Sequence, residues 1–400
     1  AFSRDCLYGM WNSKCEECVD CSYVERCELC YQVLNAKNSY GCSFCENMQQ
    51  CTNCRFCRDL IGCRDCIGCV GLRQKQYYLF NEPVGKERFE EFVLQAQIHT
   101  RTGTNLLRAR FDQLEKTIPR KYYQGTANDG CTGDYLEHCH LVQSSYNCRH
   151  SEHLSHGRDA WQAHHCVDLL ETLDQEFCIN LEGSYKNTYS GFSAKINESG
   201  NIWYSSHIHS SSDLFGCVGV RQGKYCILNK EYSEEDYFAL RARIVEHMKA
   251  TQEWGEYFPI ECAPFAYNES VAQEYFPLSK EEVLARGLRW TDKTDKTSDL
   301  ISQSPDNLFD ASDAVLGETF ACERTGRPFK YQKQEYLFYR KQHLPLPTIH
   351  PEVRYHERMG KRNRRSLRKG ECAECKAQLE TTFPSDTTYQ LLCERCYGVA

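Results

Sequence analysis

Cys372-x2-Cys375-x17-Cys393-x2-Cys396 is the strongest chemical signal in the chain. Two Cys-x2-Cys knuckles at this separation supply four thiolates, the donor set and spacing of a structural zinc site. Four sulfurs complete a tetrahedron and leave no position for substrate, so the expected cofactor is Zn in a structural role. Between the knuckles, QLETTF (378–383) and TTYQLL (387–392) read as strands turning at Pro384-Ser385-Asp386, a hairpin that would join the knuckles as a zinc ribbon. Upstream, Cys322-Glu323-Arg324-Thr325 and His350-Pro351-Glu352-Val353 occupy comparable places. Only Cys322 and His350 could ligate there, which is too few for a closed site.

Just before the ribbon the charge reverses. Residues 351–370 hold eight basic against two acidic side chains, net +6 within a chain of net −7. Lys361, Arg362, Arg364, Arg365, Arg368 and Lys369 are candidates for phosphate contacts, with Tyr355 or Tyr389 available for base stacking. A solvated basic linker is the competing reading, and the residues alone leave both open.

Nine histidines fall between His138 and His209, where His138/His150 and His153/His165 are each twelve apart. Neighbouring imidazoles on a rigid face could hold a transition metal, but no carboxylate or cysteine shares their register, which favours a polar surface. No G-x-S-x-G, P-loop or dinucleotide fingerprint occurs, so an enzyme is not expected.

The remaining cysteines are unevenly spent. Of 27, 14 lie in residues 1–69 and 7 in 70–250. Residues 5–64 divide into five rows of twelve without an insertion, and a sixth begins at Asp65. Second place holds Cys6, Cys18, Cys30, Cys42, Cys54 and Cys66; fifth place holds Gly9, Cys21, Val33, Cys45, Cys57 and Cys69; eleventh place holds Cys15, Cys27, Ser39, Cys51 and Cys63. Such a period suits a small β-solenoid coil of two or three very short strands per turn, with cysteine as a small inward hydrophobe. Packing, disulfide ladders and metal binding remain open as uses of these thiols. Packing is favoured, because Val, Ser and Gly replace cysteine in the same columns.

The frame returns over residues 129–212, now mostly with small or apolar residues in place of cysteine. Both arrays end in one motif, IGCVGLRQKQYYLFN (67–81) and FGCVGVRQGKYCILN (215–229), so the chain contains a duplicated module. Helices should follow each cap: Phe89, Phe92, Val93 and Ala96, then Leu107, Phe111 and Leu114, and in the second module Tyr237, Leu240, Ile244 and Met248 behind a Ser233–Asp236 box. They would cover strand edges that otherwise recruit other chains.

The expected fold is thus mainly β: two tandem small β-solenoids with 12-residue coils, each capped by helices, plus a C-terminal zinc ribbon. The expected domains are 1–118 and 119–258 for the arrays, a linker region at 259–318 with one short helix after a Ser279–Glu282 box, and 319–400 for a degenerate finger-like segment, the basic run and the ribbon. At 41% hydrophobic with a mean hydropathy of −0.64 and no long apolar run, no membrane span is expected. With no secretory signal, a cytoplasmic location is expected. The chain opens on Ala1 without an initiator Met, which is compatible with a missing upstream piece.

The cap GCVGLRxKxYxxxN, the stretch FAYNESVAQEYFP (265–277), the segment TGRPFKYQKQEYLFYRKQHLPLPTIHPEVRYHERM (325–359) and the terminal ribbon together resemble uncharacterised zinc-ribbon proteins of candidate-phyla bacteria. The resemblance spans nearly the whole chain. It implies that Thr325 and Val353 stand where relatives carry cysteine, so that a zinc site around Cys322 has been lost, and that relatives often have further ribbons upstream. Some relatives carry a CaiB/BaiF CoA-transferase label, a chemistry for which these residues offer no support. The function expected is a non-enzymatic zinc-binding scaffold, associated with nucleic acid or nucleoprotein through the basic run and ribbon. The alternatives are a protein-interaction scaffold without nucleic acid and, third, a metalloenzyme or metal store on the histidine face.

Overall fold

The computed structural model describes residues 3–152, 160–161, 172–173, 179–182, 184–185, 187–292 and 303–398. Two compact units are assembled from interleaved segments: Ala1–Pro119 with Lys293–Arg362, and Arg120–Asp292 with Asn363–Ala400.

In the first unit the twelve-residue rows are coils stacked in parallel. Ser22, Leu34, Glu46 and Arg58 are successive partners across one wall. The hydrogen bonds show that each coil has four sides of three residues, not two or three strands. Arg4, Leu7, Met10 and Ser13 donate forward to the carbonyls of Cys15, Cys18, Cys21 and Val24 at 2.8–3.1 Å. Glu17, Asp20, Tyr23 and Arg26 donate back to Arg4, Leu7, Met10 and Ser13 at 2.9–3.1 Å. Every third residue is a corner with positive φ, as at Glu17, Asp20, Tyr23 and Arg26. At Gly68 the corner is also crowded by the next coil: φ is +69° and a Cβ there would lie 2.4 Å from the Phe80 ring, so glycine suits it.

The residue between corner and outward residue points inward, and its N–H points inward with it. Such a buried donor needs an acceptor. In two of the inward columns a thiol or hydroxyl one coil earlier supplies it: Cys69 N–H donates to Cys57 Sγ at 3.4 Å and Cys51 N–H to Ser39 Oγ at 3.3 Å. The same side chains donate to carbonyls, Cys57 Sγ to Arg55 O at 3.2 Å and Ser39 Oγ to Lys37 O at 3.0 Å. Cysteine is therefore chosen for size and for one donor and one acceptor, and serine is its interchangeable partner. A fourth inward column, Val24, Ala36, Met48 and Leu60, is apolar and buried. No disulfide is formed among the described residues.

The second unit repeats the rule with serine. Ser205 N–H donates to Ser193 Oγ at 3.1 Å, and Cys217 N–H to Ser205 Oγ at 2.9 Å. Its strands pair in the same register, Ser190↔Ile202 and Ile202↔Leu214. Each array closes on the asparagine that ends its cap motif. Asn81 accepts from Val70 N–H at 2.8 Å and donates to Val70 O at 3.0 Å, and Asn229 treats Val218 in the same way at 2.8 and 2.9 Å. One side-chain amide thus replaces the backbone of an absent next coil.

The helices fall where their apolar stripes place them: α1 (Lys86–Gln95), α2 (Arg101–Thr117) and α3 (Glu234–Ala250), the last capped by Ser233. Phe89, Leu107, Phe111 and Tyr237 are their buried anchors. The chain is mixed α/β rather than mainly β, because the later part of the first unit is helical, with helices at Lys333–Gln342 and Pro351–Met359. Within the stretch expected as linker, the Ser279–Glu282 box caps a helix over Lys280–Ala285, while Leu308, Ala311 and Val315 join the core of the first unit. No helix among the described residues is long and apolar enough to cross a membrane.

Candidate metal centre

The first knuckle is the turn of a hairpin. Arg368–Glu371 pairs antiparallel with Gln378–Thr381, with Gly370 opposite Leu379. Cys372 N–H to Ala377 O at 2.9 Å and Lys376 N–H to Cys372 O at 3.0 Å close the turn, with Lys376 at φ +59°. The hairpin therefore bends at Cys372–Lys376 and not at Pro384-Ser385-Asp386, as the sequence suggested. The reason is that the second predicted strand pairs elsewhere: Leu391–Leu392 runs parallel to Arg120–Lys121. Cys393 follows at once, preceding the short helix Glu394–Tyr397. Ala373 N–H to Leu391 O at 2.8 Å and Cys393 N–H to Cys372 Sγ at 3.4 Å join the knuckles.

The sulfurs of Cys372, Cys375, Cys393 and Cys396 all lie within 4.8 Å of one another, and Cys375 and Cys393 are 3.6 Å apart. A tetrahedron with metal–sulfur bonds of about 2.3 Å has edges of about 3.8 Å, so the four donors fit a bound metal ion. Backbone donors favour the thiolate at two of them: the Cys393 N–H holds the Cys372 thiol down to about 6, and the Ala377 N–H lowers Cys375. Burial instead pushes Cys396 up to about 12. The Arg395 guanidinium lies inside the second knuckle beside Cys375 and Cys396, and the negative charge of those sulfurs raises its pKa. Among the described residues, this is the one group of three or more His, Cys, Asp or Glu so placed.

The first unit holds a second copy of this frame. Phe320–Ala321 pairs with Pro328–Phe329, Cys322 N–H donates to Arg327 O at 2.9 Å, Gly326 N–H to Cys322 O at 2.8 Å, and Glu323 N–H to Thr348 O at 3.1 Å. Each bond has its counterpart around Cys372. The ligand places hold Cys322, Thr325, His350 and Val353, and His350 instead caps the Pro351–Met359 helix, accepting from Glu352 N–H at 3.1 Å. Burial acts to raise the Cys322 thiol, but the His350 N–H and groups of Thr325 and Arg324 outweigh it and lower it.

The basic run is not one surface patch. Arg354 and Arg358, which contribute to its charge, are buried against Asp20. Lys361 pairs with Glu46 at 2.5 Å, Arg362 lies 4.0 Å over the Tyr23 ring, and Arg365 lies 3.7 Å over Tyr275. Arg368 donates to Phe383 O at 2.6 Å and Pro384 O at 3.0 Å. Arg364 and Lys369 are exposed. Of the proposed stacking rings, Tyr389 lies 3.7 Å under Arg120, and Tyr355 packs against His356.

His138 and His150 stack one coil apart, centroids 5.1 Å and planes 2° apart. Parallel rings aim their lone pairs side by side, whereas a metal about 2.1 Å from both nitrogens needs them to converge. The other aligned pair, His153 and His165, lies outside the described residues.

Residues that seat the ribbon escaped the sequence reading. Tyr122, Thr381 and Thr382 carry no spacing signal. Arg395 did carry one, its place inside a Cys-x2-Cys knuckle. No protein-family model and no curated protein matches the chain.

Proposed function

We propose that the protein is a non-enzymatic scaffold in which a zinc ion closes the C-terminal ribbon and two β-solenoid arrays present rigid faces to a protein partner. The convergence of four cysteine sulfurs carries the reading. Thiolates select zinc or iron over hard cations, and four of them leave no open coordination place for substrate. The resemblance to zinc-ribbon proteins agrees with it. Zinc thiolates and a ladder of reduced cysteines suit a reducing compartment such as the cytoplasm. Elemental analysis of the purified chain tests the reading: one zinc per chain, lost in Cys375→Ser with Cys393→Ser, supports it, whereas iron or no metal overturns it.

Nucleic-acid association is the second reading, and it rests on the exposure of Arg364 and Lys369. Phosphate contacts through these two would be weak and salt-dependent. If replacing both by alanine leaves RNA and DNA binding unchanged at low salt, this reading is discarded in favour of the protein scaffold.

A further inference from the structure

Both halves of the four-cysteine ribbon reach into the first coil of the second array. Leu391–Leu392, immediately before Cys393, forms a parallel strand with Arg120–Lys121; Arg120 N–H donates to Gln390 O at 2.8 Å and Tyr122 N–H to Leu392 O at 3.0 Å. From the other half, Thr381 Oγ1 donates to Tyr122 O at 2.6 Å, and Thr382 Oγ1 to Asp134 Oδ2 at 2.6 Å. Asp134 is 3% exposed, and its other oxygen accepts from the N–H groups of Gln124 at 2.7 Å and Tyr135 at 3.0 Å, so one carboxylate ties ribbon and coil. Beside the second knuckle, Glu394 pairs with Lys121 at 2.8 Å and accepts from Tyr123 OH at 2.9 Å.

The ribbon has little else to hold it. Its buried apolar core is Cys372, Leu379, Leu392 and Cys396, with Tyr122 packed against it, and half of that core is metal ligand. A fold this small depends on its ion, because binding free energy there is folding free energy. The coil depends in turn on the ribbon. Its strands are two residues long, Gly125–Thr126 and Leu136–Glu137, and the ribbon supplies both the strand beside Arg120–Lys121 and the partner of Asp134.

We propose that the metal ion held by the four cysteines latches the first coil of the second array, so that metal occupancy sets the order of residues 120–137 as well as that of the ribbon. The inference rests on the metal reading above. Without the ion, the two knuckles separate, Thr382 and Leu391 leave their partners, and the backbone edge of the coil opens to pairing with other chains.

Hydrogen exchange on the full chain tests this, with metal content measured in parallel. Removing zinc with a chelator should reduce protection of residues 120–137 by on the order of ten-fold or more while residues 188–228 keep theirs. Thr382→Val, which leaves the four cysteines intact, should lower protection of 120–137 with one zinc still bound. If zinc is bound and its removal deprotects residues 363–398 alone, the latch is overturned and the metal site stands. If no zinc binds at any concentration, the metal reading fails and the latch with it.

Discussion

Arg354 Nε meets Asp20 Oδ2 at 2.7 Å in the interior of the first unit, where Asp20 is 0% and Arg354 4% exposed. Arg358 adds bonds to Ser22 Oγ and Tyr8 O, both 3.0 Å, so two cations of an apparent surface run hold a helix against the coils. Removing one member of a buried pair strands the other. Asp20→Ala should therefore destabilise the first unit by about 3–5 kcal/mol, read from urea denaturation, and a loss under about 1 kcal/mol would refute the assignment.

Glu335 stands beside the same pair, 3.6 Å from Arg354. Burial pushes its carboxyl up, against the pull of Arg354. A carboxyl raised in the folded state binds its proton there more tightly than in the unfolded chain, so stability falls as pH rises through the range just above the ordinary glutamate value of about 4.3. Glu335→Gln should flatten this part of the stability–pH curve. An unaltered slope would assign it to another group.

Cysteine and serine should be exchangeable inside the coils, and alanine should not. Cys57→Ser keeps an acceptor for the Cys69 N–H, now 3.4 Å from sulfur, whereas Cys57→Ala leaves that buried donor without one. The expected cost is about 1–3 kcal/mol more for alanine than for serine in thermal or chemical unfolding. Equal costs would mean that the thiols act by volume alone.

Asn81 and Asn229 should behave alike despite their different arrays. Asn81→Ala removes the acceptor and donor for Val70, and Asn229→Ala those for Val218. Each should lower stability by about 1–3 kcal/mol and speed amide exchange in the last coil. An effect at one site alone would mean that the helices, not the asparagines, close the arrays.

Arg395 carries its positive charge beside the Cys375 and Cys396 sulfurs, so it should help hold the proposed zinc. Arg395→Ala should weaken zinc retention about 10–100-fold in competition with a chromogenic chelator, with the stoichiometry unchanged. Arg395→Lys should restore part of the loss by keeping the charge. Identical retention in all three proteins would remove Arg395 from the site.

Features set by spacing were legible in the sequence. The twelve-residue frame, the duplicated caps, the Ser279–Glu282 box and the clustering of the four C-terminal cysteines need only sequence pattern. Two kinds of feature were not. The four-sided coil depends on a period of three nested inside twelve: Cys15, Cys18, Cys21, Val24, Cys27 and Cys30 all point inward, and attention to cysteine alone hid the Val24 column. Tertiary partners are a matter of folded geometry, so Arg354 and Arg358 read as a basic surface until Asp20 is found beside them. Likewise Leu391–Leu392 looks like half of a hairpin until its true partner, Arg120–Lys121, is seen 271 residues upstream.

The left-handed corner at every third residue also governs how the protein can change. Among the described residues, no valine, isoleucine or threonine has positive φ, since branching at Cβ clashes in that conformation. One third of the coil positions is therefore closed to the β-branched residues that strands favour, though tyrosine and phenylalanine are accepted there. An insertion of one or two residues would rotate corners into the interior, and one of three would add a side to a single coil. Only a tandem copy of twelve restores every column, adding one rung of about 4.8 Å. Array length is thus a quantity that duplication of a short coding segment can alter, with the closing asparagines left in place.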